Sequence, residues 1–218
     1  MVAYYPVMLD LNGKRCVVVG GGAVAERKVR GLLAAGANEL IVVSPQATSG
    51  LEQLSAEGSI LLKCREYLES DLFGAAIVFA ATPIRSVNDA IATACRAAAI
   101  WVNVADLAEQ GDFVTPAAVR RGELLIAITT GGASPALTAR MKRELEALYG
   151  EDFAGRLALL RELRERMLAR EPDEARRHAI LRLAAEIVAV GNPAEVRADE
   201  SIEDWIVKLG QTVDGRHT

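Results

Sequence analysis

Residues 16–28 read CVVVGGGAVAERK, and the order of residue types in this stretch decides the fold. An apolar run typical of a buried strand ends at three consecutive glycines, and a segment with helical character follows at once. Gly20, Gly22 and Ala25 match the pattern G-x-G-x-x-G/A between a strand and a helix. In that pattern the first glycine permits the tight turn, and the second lets a pyrophosphate approach the backbone. The stretch therefore predicts a dinucleotide-binding unit.

The start of the helix supplies the groups that would bind the phosphates. The first N–H groups of a helix have no partner within the helix, and here they belong to residues around Gly22, Ala23 and Val24. We expect these donors to face an anionic ligand. A tight strand–helix turn without any ligand is the alternative that the pattern alone leaves open.

Short β-rich runs alternate with Ala-rich helical segments from Arg15 to about Val104. The strand runs are RCVVVG, ELIVVSP, ILLKC, AIVFAAT and IWVNVAD. Because these runs lack polar alternation and are separated by amphipathic helices, they predict a parallel sheet covered on both faces. Right-handed crossovers then give a doubly wound, Rossmann-type α/β domain over residues 1–111.

The pattern changes after residue 111. Two short apolar strands on either side of Arg121-Gly122 predict a hairpin, and Ser134-Pro135 predicts a capped helix start. We expect residues 112–149 to form a small α+β module. We expect residues 150–218 to form an all-helical C-terminal domain, with a break near Glu171-Pro172 and a short last helix over about 201–209.

The composition excludes several classes of protein. The 218 residues include 25 Lys and Arg against 29 Asp and Glu, and the formal net charge of −4 argues against nucleic acid as a partner. No apolar run approaches the roughly 20 residues of a membrane span, and we expect neither a membrane segment nor a signal peptide. Each of the three cysteines, Cys16, Cys64 and Cys95, sits in an apolar segment. They predict buried free thiols in a cytoplasmic protein, without a metal site.

Ligands of open α/β sheets bind outside the carboxyl ends of the strands, and the second strand ends in Val43-Ser44-Pro45-Gln46. NAD-specific sites usually have an acid here for the ribose hydroxyls, and this chain has none. Ser44 could hydrogen-bond a ribose hydroxyl, with Pro45 beside it. The choice between NAD and NADP is therefore weakly encoded.

Two further strand ends point to the same crevice. Ala81-Thr82 closes the fourth strand with small residues that would let a ribose lie close, although Thr82 could instead cap the next helix. Asn103 and Asp106 follow at the end of the fifth strand. They would place an amide and a carboxylate at the carboxyl edge of the sheet, although Asp106 could simply hold a turn.

A series of motifs resembles those of one enzyme family. In order, the chain contains YPVML, GGGAVAERK, VVSP, AAT followed by Asn88, VNVAD, DFVTPA and ITTGGASPALTARMKRELE. Together they resemble the precorrin-2 dehydrogenases, the siroheme synthase N-terminal domain proteins, most closely over about residues 5–149. The resemblance implies NAD as cofactor and oxidation of precorrin-2 to sirohydrochlorin, towards siroheme or cobalamin. It also implies a homodimer formed by a small dimerisation element.

The resemblance assigns the catalytic role to the aspartate that ends VNVAD, which is Asp106. Oxidation of the substrate removes a hydride and a proton, and a carboxylate could accept the proton or stabilise a cationic intermediate. The substrate carries many carboxylates, so cationic groups and a helix N-terminus should frame it. The candidates for this frame are Arg120, Arg121, Thr130, Gly131, Ser134 and Arg140. Each arginine, taken singly, could instead be a solvated surface charge, and Thr130 could be an ordinary strand residue.

Other functions remain open at this point. A bifunctional enzyme would also insert Fe(II) into sirohydrochlorin, with iron bound transiently. Histidine is a usual metal-handling group, and His178 and His217 lie far from the crevice in the chain. A non-catalytic NAD-sensing regulatory domain would account for the glycines, but it gives no reason for TTGGASP. An oxidoreductase with an unrelated substrate is the remaining alternative.

Overall fold

The computed structural model describes residues 4–105, 107–190 and 201–215. The chain divides into two compact units, Met1–Thr115 and Pro116–Thr218. The strands are β1 (Arg15–Val19), β2 (Glu39–Val43), β3 (Leu61–Lys63), β4 (Ile77–Ala80), β5 (Trp101–Val104), β6 (Ala117–Arg121) and β7 (Leu124–Ile128). The helices are α1 (Ala23–Ala34), α2 (Ser49–Ala56), α3 (Arg85–Ala97), α4 (Pro135–Leu148), α5 (Phe153–Arg170), α6 (Glu174–Val190) and α7 (Ile202–Gly215).

The first unit contains a five-stranded parallel sheet in the order β3-β2-β1-β4-β5. The chain runs outward from β1 to β3, crosses back, and continues on the other side of β1 with β4. This reversal makes the carboxyl ends of β1 and β4 the switch point at which such sheets bind ligands. The predicted doubly wound α/β fold is confirmed.

Side chains alternate between the two faces of this sheet, and each face has its own apolar core. Val18 of β1 packs in the cluster that includes Val29 of α1 and Leu51 of α2. Val17 of the same strand packs in the other cluster, with Ile91 of α3. Because both faces are covered, β1, β2 and β4 are apolar apart from Arg15 and Glu39 at their first positions, as the sequence pattern predicted.

The residues after β5 belong to the first unit. The Asp112 N–H donates to the Val102 carbonyl at 2.8 Å, and the Asp112 carboxylate accepts the Val102 N–H at 2.9 Å. Phe113 packs edge-on against Phe79 of β4, with 5.4 Å between ring centroids. These contacts bring the division between the units to Thr115, whereas the predicted boundary lay at residue 111.

The second unit begins with the predicted hairpin. Strands β6 and β7 pair antiparallel through Arg121 and Leu124, and α4 packs on them. Helices α5, α6 and α7 build a separate apolar core around residues such as Leu163, Ile180 and Trp205. The predicted helical tail and its break are observed, while α7 runs to Gly215 and is longer than predicted. The further split of this unit at residue 149 stays a prediction.

The cysteines correct one expectation. Cys16 and Cys95 are buried free thiols, and burial raises the pKa of each to about 11. Cys64 is exposed, because it follows the short edge strand β3 at the start of a surface loop. Across the described ranges, no helix is long and apolar enough to cross a membrane. The same ranges contain no group of three or more His, Cys, Asp or Glu residues arranged to hold a metal ion.

Candidate functional site

Two of the three glycines after β1 are required by close backbone packing. Gly20 has φ +128°, and a Cβ placed on it would overlap the carbonyl of Ala81 at the end of β4. A Cβ on Gly21 would overlap the carbonyl oxygen of Gln46, which follows β2. The turn therefore packs between the segments that follow β2 and β4, the two strands that flank β1. Neither Gly20 nor Gly21 can carry a side chain there.

Gly22 differs from its two neighbours. Its φ of −84° is open to any residue, and an added Cβ would meet no atom within 4 Å. Gly22 is the N-cap of α1, and no side chain in the described part of the chain caps this helix. The first intrahelical bond runs from the Glu26 N–H to the Gly22 carbonyl at 2.9 Å. The N–H groups of Ala23 and Val24 precede it and lie at the positive end of the helix dipole.

Open space beside Gly22 and the N-terminus of α1, which no side chain in the described ranges caps, form a cradle of a shape and polarity that suit an anion. The cradle lies at the switch point of the sheet, where the fold family binds nucleotides. A dinucleotide pyrophosphate therefore fits the residues that the structure places there.

The loop after β2 is bonded to this turn. The Gly20 N–H donates to the Val43 carbonyl at 2.9 Å, and the Thr48 N–H donates to the Gly21 carbonyl at 2.9 Å. The Thr48 hydroxyl also donates to Glu26 at 2.7 Å, and this hydrogen bond lowers the pKa of Glu26.

The predicted residues Ser44 and Pro45 occupy this same loop. Ser44 is half-buried beside Gly21, and Pro45 is exposed. The structure thus brings both residues next to the glycine turn.

The end of β4 lies on the other side of the turn. Ala81 is buried, with its carbonyl against Gly20. The Thr82 hydroxyl lies 2.8 Å from Oδ1 of Asn88 and accepts the Ile84 N–H at 3.2 Å. These local bonds occupy the hydroxyl, but Thr82 does not cap α3, because Ile84 is the N-cap and no described side chain caps that helix.

The end of β5 completes the edge. Asn103 is buried, and its amide donates to the Phe113 carbonyl at 2.8 Å. The Ala105 N–H donates to the Ala80 carbonyl at 2.9 Å, which extends the pairing of β4 and β5 by one residue. The predicted catalytic residue Asp106 lies outside the described residues.

The predicted substrate arginines of the second unit have different surroundings. The Arg121 guanidinium donates to the Tyr149 carbonyl at 2.9 Å and to the Glu146 carbonyl at 3.4 Å, and its side chain is 14% exposed. It therefore satisfies carbonyls at the C-terminal end of α4. Arg120 is exposed, and Arg140 is exposed and pairs with Glu144 at 2.7 Å. Arg120 and Arg140 are the better placed of the three to meet a ligand.

The turn before α4 already has internal partners. The Thr130 hydroxyl accepts the Ser134 N–H at 3.1 Å, and the Ser134 hydroxyl accepts the Leu137 N–H at 3.2 Å. Gly131 has φ +62° and is exposed. The Gly131 N–H also donates to the Thr129 hydroxyl at 3.1 Å, and the Ala133 N–H donates to the Thr130 carbonyl at 3.1 Å, so this exposed turn is largely bonded internally.

The sequence analysis gave no role to Thr48, which it did not name, or to Asn88, which it named only within a motif. Thr48 bonds to the glycine turn, and Asn88 bonds to Thr82 from within α3. The signal for Asn88 was the spacing AAT…N, in which an amide sits one turn into the helix that follows a strand end. In the sequence, Thr48 could be recognised only as the N-cap of α2, and its bond to the glycine turn could not.

Comparisons with known proteins identify the family of this chain. Residues 7–117 match the family model described as putative NAD(P)-binding, and residues 121–148 match the sirohaem biosynthesis protein central family. A precorrin-2 dehydrogenase from Priestia megaterium is 34% identical, over 81% of this chain and 87% of that protein. The chain belongs to the siroheme synthase N-terminal family. The resemblance seen in the sequence motifs is confirmed.

Two further members of the family show the extent of the similarity. A siroheme synthase from Methylococcus capsulatus is 39% identical over 80% of this chain, and the chain spans 37% of that protein's length. The solved structure of SirC, precorrin-2 dehydrogenase, is 30% identical with a TM-score of 0.72, and covers 97% of this chain and 100% of its own. The family fold therefore extends over both units.

Proposed function

We propose that this chain is an NAD-dependent dehydrogenase that oxidises precorrin-2 to sirohydrochlorin, in the formation of siroheme or cobalamin. The observation that carries the proposal is the open, uncapped N-terminus of α1 beside Gly22, at the switch point of the sheet. The names of the relatives support it, because a precorrin-2 dehydrogenase is similar over most of its own length.

NAD binding is assigned to the ends of three strands. The N–H groups of Gly22, Ala23 and Val24 would bind the pyrophosphate, and Ser44 with Pro45 would lie at the adenosine ribose. Ala81, Thr82 and Asn103 would border the other half of the cofactor. Bound NAD supplies the acceptor for the hydride that leaves the substrate. Since no acid follows β2, we expect only a modest preference for NAD over NADP.

Asp106 is our candidate for the catalytic residue. It would accept the proton released on oxidation, or stabilise positive charge on the substrate. Substrate carboxylates would bind to the exposed Arg120 and Arg140, beside the exposed turn that contains Gly131. Arg121, Thr130 and Ser134 would act indirectly, because their polar atoms already bond within the second unit.

A homodimer completes the proposal. In the second unit, β6 and β7 form a sheet of two strands, and none of the described residues of α4 is buried. Leu137, Met141 and Leu148 expose apolar side chains along one stripe of that helix. A second copy would cover this stripe.

We also propose that the protein works in the cytoplasm.

The direct test is turnover of the substrate. The protein is mixed with NAD and enzymatically made precorrin-2, and the absorbance of sirohydrochlorin is followed against a reaction without NAD. We expect NAD-dependent formation of sirohydrochlorin. NAD binding without any turnover of precorrin-2 would instead favour a regulatory domain.

Asp106→Asn tests the catalytic assignment. The substitution keeps the size of the side chain and removes its charge, so the rate of oxidation should fall by roughly 10²–10⁴-fold if Asp106 is a general base. The affinity for NAD, measured by titration calorimetry, should stay close to that of the wild type. Oxidation of precorrin-2 at the wild-type rate would show that Asp106 is a turn residue.

Iron insertion is the second candidate activity, because relatives of this chain carry the name siroheme synthase. We propose that oxidation of precorrin-2 is the principal activity and that insertion of Fe(II) into sirohydrochlorin is weak. The two initial rates can be measured on the same preparation. Insertion far above the spontaneous rate would establish a bifunctional enzyme.

A further inference from the structure

Asn88 is a polar side chain buried beside the end of β4. It lies on the first turns of α3 and is 6% exposed. Its amide nitrogen donates to the Thr82 carbonyl at 2.9 Å, and its Oδ1 accepts the Thr82 N–H at 3.2 Å. One side chain therefore pairs both backbone polar groups of a single residue, as a neighbouring strand would. The Thr82 hydroxyl, 2.8 Å from the same Oδ1, adds a third bond.

These bonds determine where the chain lies after it leaves the sheet. The Ala81 N–H still pairs with the Val19 carbonyl of β1 at 2.8 Å, so the ladder reaches as far as Ala81. The ladder stops there, and the next residue is held by Asn88. The carbonyl of Ala81 meanwhile lies so close to Gly20 that no Cβ fits between them. The Asn88 amide thus holds the Ala81–Thr82 backbone against the glycine turn.

This backbone borders one side of the proposed cofactor site. In the strand order β3-β2-β1-β4-β5, the loop after β2 lies on one side of the glycine turn and the loop after β4 lies on the other. Ser44 belongs to the β2 side, where such folds place the adenosine ribose. The β4 side is left for the nicotinamide half.

We propose that Asn88 is a positioning residue, which holds the Ala81–Thr82 backbone in the shape that receives the nicotinamide half of NAD. The inference rests on the proposed NAD-dependent function. It assigns to the cofactor site a residue whose side-chain amide bonds to Thr82.

Fragment binding separates this role from a general effect on folding. Dissociation constants of NAD and of ADP, which lacks the nicotinamide half, are measured by titration calorimetry for the wild type and Asn88→Ala. Loss of the bonds from one buried amide should weaken NAD binding about tenfold, while ADP binding changes by less than about twofold. A residue that only stabilised the fold would lower the melting temperature and leave the ratio of the two constants unchanged.

Two further variants keep the experiment decisive. Asn88→Asp preserves the shape of the side chain but replaces the donor to the Thr82 carbonyl by an oxygen, so it should also weaken NAD binding relative to ADP. Cys95→Ser, two turns further along α3 and buried, is the matched control. It should lower the melting temperature without a change in the ratio.

The outcomes are distinguishable. If the wild type binds NAD but Asn88→Ala and Asn88→Asp keep the wild-type ratio of NAD to ADP affinity, the role of Asn88 is overturned and the proposed function stands. If the wild type binds neither NAD nor ADP, the proposed function fails and the inference fails with it.

Discussion

At the scale of single residues, the three consecutive glycines have different causes. Gly20 and Gly21 are excluded from carrying side chains by the carbonyls of Ala81 and Gln46, so they are required by the fold itself. Gly22 has ordinary backbone angles and open space on its Cβ side. The fold therefore places no steric requirement on the third glycine, and it can be substituted without breaking the turn.

Gly22→Val is expected to abolish NAD binding in a folded protein. The branched side chain would occupy the open space where the pyrophosphate must lie, whereas the loss of a glycine N-cap costs only about 1 kcal/mol of stability. Titration calorimetry and thermal unfolding measure the two effects separately. Gly31→Ala, on an open position of the same helix, is the control that should keep NAD affinity. Wild-type affinity in folded Gly22→Val would contradict the site.

Ala99→Gly is expected to stabilise the protein by about 0.5–1 kcal/mol. Ala99 has φ +55° and follows α3 in a turn closed by the Ile100 N–H on the Cys95 carbonyl, a position that glycine usually occupies. Chemical unfolding at neutral pH measures the difference. Ala90→Gly, at an exposed interior position of α3, should instead destabilise by about 1 kcal/mol. A loss of stability in Ala99→Gly would show that the left-handed angle carries no cost.

At the scale of elements, the helices differ in how their N-termini are capped. The hydroxyl of Thr48 caps α2 and that of Ser134 caps α4, each by accepting a backbone N–H of the first turn. Helix α1, which begins at the switch point of the sheet, has no such cap among the described residues. Helices α3 and α5 also lack a side-chain cap among the described residues, so α1 is distinguished by its place at the switch point together with the open space beside Gly22.

The loop between β3 and β4 depends on one buried carboxylate. Asp71 accepts a two-pronged pair from Arg65, at 2.6 and 2.7 Å, together with Lys63 at 2.9 Å and the Leu68 N–H at 3.0 Å. The Asp71 side chain is 2% exposed, while those of Lys63 and Arg65 are 32% and 40% exposed. The bonds from Arg65 hold the pKa of Asp71 well below its usual range.

Asp71→Asn is expected to destabilise the protein by about 1–3 kcal/mol at pH 7, a range reduced because the two cations remain partly solvated. A carboxylate whose pKa is lowered in the folded state stabilises the fold fully at pH values above the ordinary carboxyl pKa of about 4. This stabilisation is lost as the pH falls below that value. The difference between wild type and variant, measured by urea unfolding, should therefore shrink from pH 7 to pH 3. A difference independent of pH would contradict the assignment to Asp71.

Glu162→Gln serves as the control for this pH dependence. Glu162 pairs with Arg166 at 2.6 Å on the surface of α5, and its side chain is 48% exposed. Surface pairs of this kind contribute about 1 kcal/mol or less. The variant should follow the wild type closely at both pH values.

At the scale of the whole molecule, the two units differ in how completely they bury their apolar residues. The sheet of the first unit has a core on each face, and α5, α6 and α7 of the second unit share a core. The hairpin of β6 and β7 with α4 contributes only Val119 and Ile128 to the buried apolar residues. A two-stranded sheet is marginal in isolation, which is why we propose that a second copy covers this module.

Light scattering at micromolar concentration should therefore give the mass of a dimer. Met141→Glu places a charge in the exposed stripe of α4 and should shift the protein towards monomer, since a buried unpaired charge is costly at an interface. Leu168→Glu, at an exposed apolar position of α5, is the control that should stay dimeric. A monomeric wild type would refute the dimer.

The sequence by itself determined the class of fold, the family and the strand ends that form the crevice. These features follow from local patterns: apolar runs without alternation, glycines between a strand and a helix, and motifs in a fixed order. Ser134-Pro135 likewise predicted the start of α4, because capping depends on neighbours in the chain.

Only the tertiary structure decided which polar groups of the site are already in use. Thr82 and Arg121 looked like ligand contacts in the sequence, yet Asn88 bonds to the one and the end of α4 bonds to the other. It also showed that the carbonyls of Ala81 and Gln46, which follow β4 and β2, exclude side chains at Gly20 and Gly21, while Gly22 faces open space. The physical reason is that hydrogen-bond partners and steric overlap arise between residues far apart in the chain, where neither composition nor spacing can reveal them.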